Sequence, residues 1–281
     1  MSTIKNSKTN GEKKQTIKLL WATDIHLDHL SPEQGASFIK EMAEQKPSVA
    51  VITGDISTAE TVDKWLLYMD RVFTCPVYFV LGNHDYYHGS IEQVRQKVRQ
   101  ITRYSQRVRW LPEVGLVSLT PNTVLIGCDG WGDARLGDFD HSDTKMSDYI
   151  FIKELVGLDR PQIKQVIQAL GKDSANYIAR ALPEAMNRAQ FIIIATHVPP
   201  FAEACWHQGR RGDAKWLPNY TCGAIGEVIQ EMAVSSMYHQ FLVLCGHTHG
   251  FADVHILPNL HIKVGEVEYG KPNVQDIITV Y

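Results

Sequence analysis

Cysteine is scarce in this 281-residue chain: there are five, an odd number, at Cys75, Cys128, Cys205, Cys222 and Cys245, and no two have C-x-x-C spacing. The pattern points away from a disulfide framework and toward a reducing compartment, so a cytoplasmic protein is expected. Cys75, Cys128 and Cys245 sit in apolar runs and read as small buried hydrophobes. Cys205 and Cys222 flank a polar loop and could meet, a bridge there being the lesser reading. Long apolar runs are also missing. None approaches the roughly 18 residues of a membrane span, so no membrane partner is expected. Charge of one sign is missing too: 28 Lys and Arg stand against 31 Asp and Glu, a net charge of −3. Without a basic excess, nucleic acid is not an obligatory partner. An anionic substrate would need local positive charge, such as bound metal ions. Residues 1–15 are polar and lysine-rich with no apolar stretch, so they read as a disordered leader rather than a signal peptide. There is no internal repeat and no low-complexity linker. Residues 16–281 therefore read as one domain, and its 44% hydrophobic content suffices for a large core.

Short apolar runs recur along the chain, and each ends in a polar cluster. Ile17–Thr23 ends at Asp24, Val49–Thr53 at Gly54-Asp55, and Val77–Leu81 at Gly82-Asn83-His84-Asp85. Val124–Cys128 ends at Asp129-Gly130, Phe191–Thr196 at His197, and Phe241–Cys245 at Gly246-His247-Thr248-His249. Runs of this length and composition suit strands buried on both faces. Helical spacing lies between several of them: from Ser31-Pro32 to about Gln45, from a cap at Thr58 to about Arg71, and from Ser90 to about Ser105. Further helical candidates cover Pro161–Leu170, Ser174–Ala189 and Gly223–Tyr238. The early β-α-β-α-β order predicts parallel strands with right-handed crossovers. The closely spaced runs near Val254–Leu257, Leu260–Val264 and Ile277–Val280 predict antiparallel ones. The expected class is α/β, with two stacked mixed sheets flanked by helices. Two stretches, 131–158 and 201–221, read as insertions over the site.

In open α/β sheets, functional residues gather at the carboxyl ends of strands. Here nearly every such end carries a side chain that can bind metal. Asp24-Ile25-His26 points two such side chains the same way in extended backbone. Gly54 permits a tight turn that presents Asp55. Asn83, His197 and the pair His247 and His249 complete the set. Mixed His, Asp and Asn donors suit Mn, Fe or Zn better than Ca or Mg. There are too many of them for one tetrahedral site, and their number fits two ions sharing a bridge.

The order D-x-H, G-D, G-N-H-D, a lone His and G-H-x-H resembles the calcineurin-like metallophosphoesterase superfamily. G-N-H-D together with G-H-x-H is most similar to its class III cyclic-nucleotide phosphodiesterase members. The motifs run from Asp24 to His249, most of the chain, and all are intact. The resemblance implies a β-sandwich flanked by helices and two transition-metal ions. Asp24, His26 and His249 would hold one ion, Asn83, His197 and His247 the other, and Asp55 with a hydroxide would bridge them. The hydroxide would attack phosphorus, and His84, oriented by Asp85, would protonate the leaving oxygen or stabilise the transition state. A small-molecule phosphodiester substrate is the expectation. The rival within the class is a phosphomonoesterase or protein phosphatase; outside it, a protein-binding module that keeps the fold without turnover.

Asp-x-His or Gly-Asp alone would be an ordinary turn, and His197 alone a core histidine. It is the fixed order of five such pieces at strand ends that carries the reading. Weaker candidates for substrate contact are Trp131 and Arg135 in the loop after Val124–Cys128, Arg210 and Arg211 in the aromatic-rich stretch 206–213, and Tyr86, followed by Tyr87 and His88. For each, packing or a solvated loop is an equal or better account.

Overall fold

The computed structural model describes residues 16–281; the leader expected at 1–15 lies outside them. Four strands, β1 (Ile17–Ala22), β2 (Val49–Thr53), β3 (Val77–Val80) and β4 (Val108–Trp110), run parallel. Helices α1 (Pro32–Glu44), α2 (Val62–Val72) and α3 (Ile91–Tyr104) connect them. After the single turn α4 (Leu111–Val114), β5 (Val117–Thr120) and β6 (Thr123–Cys128) form a hairpin in a second sheet. The crossover from β6 carries α5 (Asp148–Phe151) and α6 (Arg160–Arg188), then returns parallel as β7 (Phe191–Thr196). A small ribbon, β8 (Trp206–His207) with β9 (Arg210–Arg211), leads through α7 (Leu217–Tyr220) and α8 (Gly223–Ser235) into β10 (Gln240–Cys245). Two more strands, β11 (Ala252–Leu257) and β12 (Leu260–Val264), follow, and β13 (Asp276–Val280) crosses back to the first sheet. The strand orders are β13-β1-β2-β3-β4 and β11-β12-β10-β7-β6-β5.

Strand alternation explains why the runs are apolar throughout. Leu19, Trp21, Val49, Val51, Leu125, Ile193 and Leu244 fill the space between the sheets. Their neighbours Leu20, Ala50 and Ile52 pack outward among residues of α1, α2 and α3, and Val124, Ile126 and Ile194 outward among residues of α6 and α8. The central strands of each sheet are thus covered on both faces.

Three expectations need correction. The C-terminal runs are not all antiparallel: β12 pairs antiparallel with β11 but parallel with β10, and β13 lies antiparallel on β1. The two helices expected over 161–189 are one helix of 29 residues. Its start is fixed by an Asp159–Gln162 capping box with Pro161 in the first turn. Gly171 does not break it, because the bare Cα lets Asp133 pack closely against the helix. Helix α2 begins at Val62 rather than just after Thr58, whose carbonyl accepts from Thr61 and Val62 in a preceding turn. Strands β4 and β5 are too short to show in the pattern.

Asp129 is the main buried polar joint behind the site. Its carboxylate accepts from Leu81 N (2.9 Å), Trp110 Nε1 (2.9 Å) and Tyr86 Oη (3.0 Å), and pairs with Arg95 (3.2 Å). Asp129→Ala strands these donors and a largely buried guanidinium. It is expected to cost about 3–5 kcal/mol in chemical denaturation, the range for breaking a buried pair. A change under about 1 kcal/mol would contradict this account.

Asp70 on α2 makes a shallower joint. Its carboxylate accepts from Ser105 Oγ, Arg107 N and Val108 N at the entry to β4. Partial burial works against its charge, but these hydrogen bonds outweigh it and hold the pKa below the usual value. A depressed folded pKa gives stability that is present above the unfolded value, about 4, and is lost as pH falls through the folded one. Asp70→Asn should therefore cost about 1 kcal/mol at pH 7 and nothing in strong acid. Denaturation midpoints of both proteins from pH 7 to 2 would converge; parallel curves would refute the assignment.

Candidate functional site

The carboxyl ends of both sheets meet at one edge of the sandwich. The loops after β1 and β2 are zipped together by Asp24 N to Gly54 O (3.0 Å), His26 N to Asp55 O (3.0 Å) and Leu27 N to Ile56 O (2.9 Å). Those after β7 and β10 are joined to the rest by His197 N to Asp129 O and Gly246 N to His197 O, both 2.9 Å. Asp24, His26, Asp55, His247 and His249 all have positive φ, between 38° and 69°. Non-glycine residues avoid this region, at a cost of order 1–3 kcal/mol each unless the surroundings over-determine them. Gly54 has φ 91°, and a Cβ there would lie 2.5 Å from His197 Nδ1.

Two donor sets form around Asp55. In one, atoms of Asp24, His26, Asp55 and His249 lie within 4.8 Å of one another. His26 Nε2 is 3.2 Å from His249 Nε2, and His249 Nε2 is 3.3 Å from Asp24 Oδ1. In the other, Asn83 Oδ1 is 3.1 Å from His197 Nε2 and 3.0 Å from His247 Nδ1. Asp55 Oδ1 is 3.4 Å from the same His197 nitrogen. The far nitrogens are anchored: His197 Nδ1 faces the Thr53 carbonyl (2.8 Å) and His247 Nε2 the Asn219 carbonyl (3.1 Å). A carbonyl only accepts, so each of these nitrogens carries the proton. The facing nitrogen of His247 is then a lone pair aimed at the Asn83 oxygen, and that of His197 lies between two acceptor oxygens, where a proton or a cation would sit.

This arrangement fits cations. Ring nitrogens and carboxylate and amide oxygens, acceptors when unprotonated, converge within 3.0–3.7 Å of one another. Burial pushes His26 and His247 down to about 3, so both are neutral, the form that ligates. Burial also works against charge on His197, but Asp55 and Asp24 outweigh it and push the imidazole up to about 10. A proton there stands where a cation would displace it. Asp24 is likewise opposed by burial, yet His197 and His249 bring it down to about 2.

His84 stands beside both sets. Its backbone N–H donates to Asp55 Oδ1 (2.9 Å), and its ring lies 4.6 Å from that of His26 and stacks on Tyr87 at 4.1 Å. Asp85 lies elsewhere than expected. Its buried carboxylate accepts from Ile56 N, Ser57 N and Gly82 N, each at 2.9 Å. It ties the loops after β2 and β3 together, and Tyr87, not Asp85, backs the His84 ring.

A cleft of about 220 Å³ opens over the donors, lined by His84, Tyr87, Lys145, Trp216, Tyr220 and Tyr269 among others. Tyr86 does not reach it. The side chain is fully buried, with its hydroxyl on Asp129 and Arg95. Trp131 packs in the core 5.9 Å from the Tyr86 ring, and Arg135 is held outside by Glu227 at 2.7 Å. Arg210 and Arg211 line an adjoining cleft of about 460 Å³, where Arg211 pairs with Glu203. Tyr269, 4.6 Å from His26 and 4.9 Å from His249, went unnoticed in the sequence because it follows no motif.

Comparison with known proteins gives the same picture. The model of the calcineurin-like phosphoesterase family matches residues 17–251. A Campylobacter jejuni protein, uncharacterized metallophosphoesterase Cj0846, is 29% identical over 121 residues, 41% of this chain. The chain spans about a third of that relative's length (32%). Among solved structures, phosphopantetheinyl hydrolase from Mycobacterium tuberculosis superposes with TM-score 0.64 at 14% identity, covering 94% of this chain and 95% of that one. A dimetal phosphatase from Danio rerio superposes with TM-score 0.56 at 13% identity, covering 89% and 87%. At such identities these structures share the fold. The family match covers most of the chain, including every strand end that carries a donor, and the chain belongs to the calcineurin-like phosphoesterase family.

Proposed function

We propose that this chain is a two-metal phosphoester hydrolase whose substrate is a small phosphodiester. The observation that carries the reading is the pair of donor sets sharing Asp55, with His84 beside them at the wall of a cleft. Asp24, His26 and His249 would hold one cation, Asn83, His197 and His247 the other, and Asp55 both. Mn, Fe and Zn all accept such ligands. When bound, the pair supplies Lewis acidity to the phosphoryl oxygens and acidifies water.

The chain's own residues do the rest. Asp55 and the anchored histidines keep the donors in place, so little reorganisation accompanies reaction. His84 holds a proton on the ring nitrogen facing the cleft and delivers it to the departing ester oxygen. Tyr87 fixes the plane of that imidazole.

The diester preference rests on the shape of the cleft. It adjoins a cleft that reaches Arg210 through Trp216 and Tyr220, and through Tyr269 a hollow of about 1040 Å³ that reaches Lys271. Both ester arms of a diester have somewhere to lie, whereas a monoester needs one. The chain is mildly acidic, which disfavours a nucleic-acid polymer as substrate. Among the described residues no helix is long and apolar enough to cross a membrane.

The test is hydrolysis of bis-p-nitrophenyl phosphate and p-nitrophenyl phosphate with Mn²⁺ and with chelator. A higher kcat/KM for the diester, abolished by chelator, is expected. A higher value for the monoester would overturn the diester assignment. Turnover of neither by metal-loaded protein would overturn hydrolysis and favour a binding module.

A further inference from the structure

An asparagine ligand has a problem of orientation. Its amide has nearly the same shape either way round, but only Oδ1 can ligate a cation. In this chain Asn83 presents Oδ1 to His197 and His247, and Nδ2 points the opposite way. Nδ2 donates to Asp148 Oδ1 at 2.8 Å and to Tyr87 Oη at 3.2 Å. The Tyr87 hydroxyl in turn donates to the same Asp148 oxygen at 2.7 Å. Asp148 is only 4% exposed. It stands at the start of α5, a single turn in the long crossover between β6 and β7, remote in sequence from every motif residue.

That crossover is sewn to the loop after β3. His88 N donates to Phe151 O (2.9 Å), and Lys153 N to Gly89 O (3.0 Å). Glu154 accepts from Ser90 Oγ (2.5 Å) and Ile91 N (3.0 Å) at the start of α3. Asp148 is therefore delivered to Asn83 by a braced segment. Its position follows from the fold of the segment and not from surface chance.

We propose that Asp148 is a positioning residue: it sets the amide of Asn83 with its oxygen toward His197 and His247, and through Tyr87 it also steadies the ring of His84. The proposal rests on the reading that Asn83, His197 and His247 hold a cation. A buried acceptor behind the amide makes the flipped rotamer costly, because flipping would set Asn83 Oδ1 against the Asp148 oxygen and strand the Tyr87 contact. One residue outside the ligand set thus governs both the second cation and the proton donor.

Calorimetric titration of metal-free protein with Mn²⁺ tests this without any turnover. The parent should take up two ions in two steps. Asp148→Ala should weaken one step by about 10–100-fold, the usual worth of a supporting contact, and leave the other near the parent value. Asp148→Asn retains an acceptor oxygen and should stay close to the parent. The double variant Asp148→Ala/Asn83→Asp should recover the weakened step, since a carboxylate offers an oxygen whichever way it turns. Because the added charge itself strengthens binding, the double variant is compared with Asn83→Asp alone: Asp148→Ala should change little in that background, whereas a merely structural role would weaken the step there too. Should Asp148→Ala not fold, Asp148→Ser, whose hydroxyl falls short of Nδ2, carries the same expectation. Equal weakening of both steps, no weakening, or failure of the rescue would overturn the proposal. A parent that binds one ion or none would overturn the two-metal reading and this proposal with it.

Discussion

Replacing His84 with alanine is expected to lower kcat by about 10²–10⁴-fold while two cations remain bound, the range for losing a positioned proton donor. The separation of the two effects follows from the geometry. What His84 gives the metal site is its backbone N–H, which donates to Asp55 Oδ1, and alanine keeps that. Its imidazole is stacked against Tyr87 and is not part of either donor set. The loss should also depend on the leaving group. An alkyl ester, whose departing oxygen needs a proton, should suffer more than a p-nitrophenyl ester, which departs readily as an anion. Elemental analysis of the purified variant, with kcat on both ester types, checks this. Unchanged kcat, or loss of metal together with activity, would sink the role assigned to the imidazole.

Asp55→Ala should fail differently, losing the metals themselves. Asp55 Oδ2 lies 3.7 Å from His26 Nε2 in one set, and Oδ1 lies 3.4 Å from His197 Nε2 in the other. Removing it takes one ligand from each site and also the acceptor for His84 N. Affinity should therefore fall by more than the roughly 10–100-fold that a supporting residue is worth, at both sites. The buried histidines would face each other with less negative charge between them. Metal content after dialysis against buffer, compared with that of His84→Ala prepared alongside, distinguishes the two variants. Retention of two tightly held ions in Asp55→Ala would rule out a shared bridge.

Much of this architecture was legible because buried strands and their polar ends leave a strong pattern. The run Val49–Thr53 followed by Gly54-Asp55 coincides with β2 and with the carboxylate that lies between the two donor sets. Positions fixed by tertiary contact were not legible. Tyr86 and Tyr87 are adjacent and chemically alike, but the single 3₁₀ turn over His84–Tyr86 sends the first into the core toward Asp129 and leaves the second against His84. One residue of phase decides between packing and the site, and neither composition nor spacing records it. For Trp131 the sequence left substrate contact and packing level, and packing holds, because Asp129 and Asp133 on either side are themselves buried anchors. Asp148 gave no signal at all, because its partners are 61 and 65 residues away and no motif surrounds it. Asp85 illustrates the opposite error. Its place in a recognisable motif suggested a partner for His84, whereas three backbone amides claim its oxygens.

The donors are also divided between the halves of the sandwich. Asp24, His26, Asp55 and Asn83 follow strands of the first sheet, while His197, His247 and His249 follow strands of the second. Each cation would therefore be gripped from both sides, acting as a rivet through the seam at its open rim. Loading and folding are then thermodynamically linked: ions at a hundredfold excess over Kd would add about 2.7 kcal/mol per site against unfolding. Stripping them would loosen the rim first, where five donor residues hold left-handed backbone at a conformational cost that bound cations would offset.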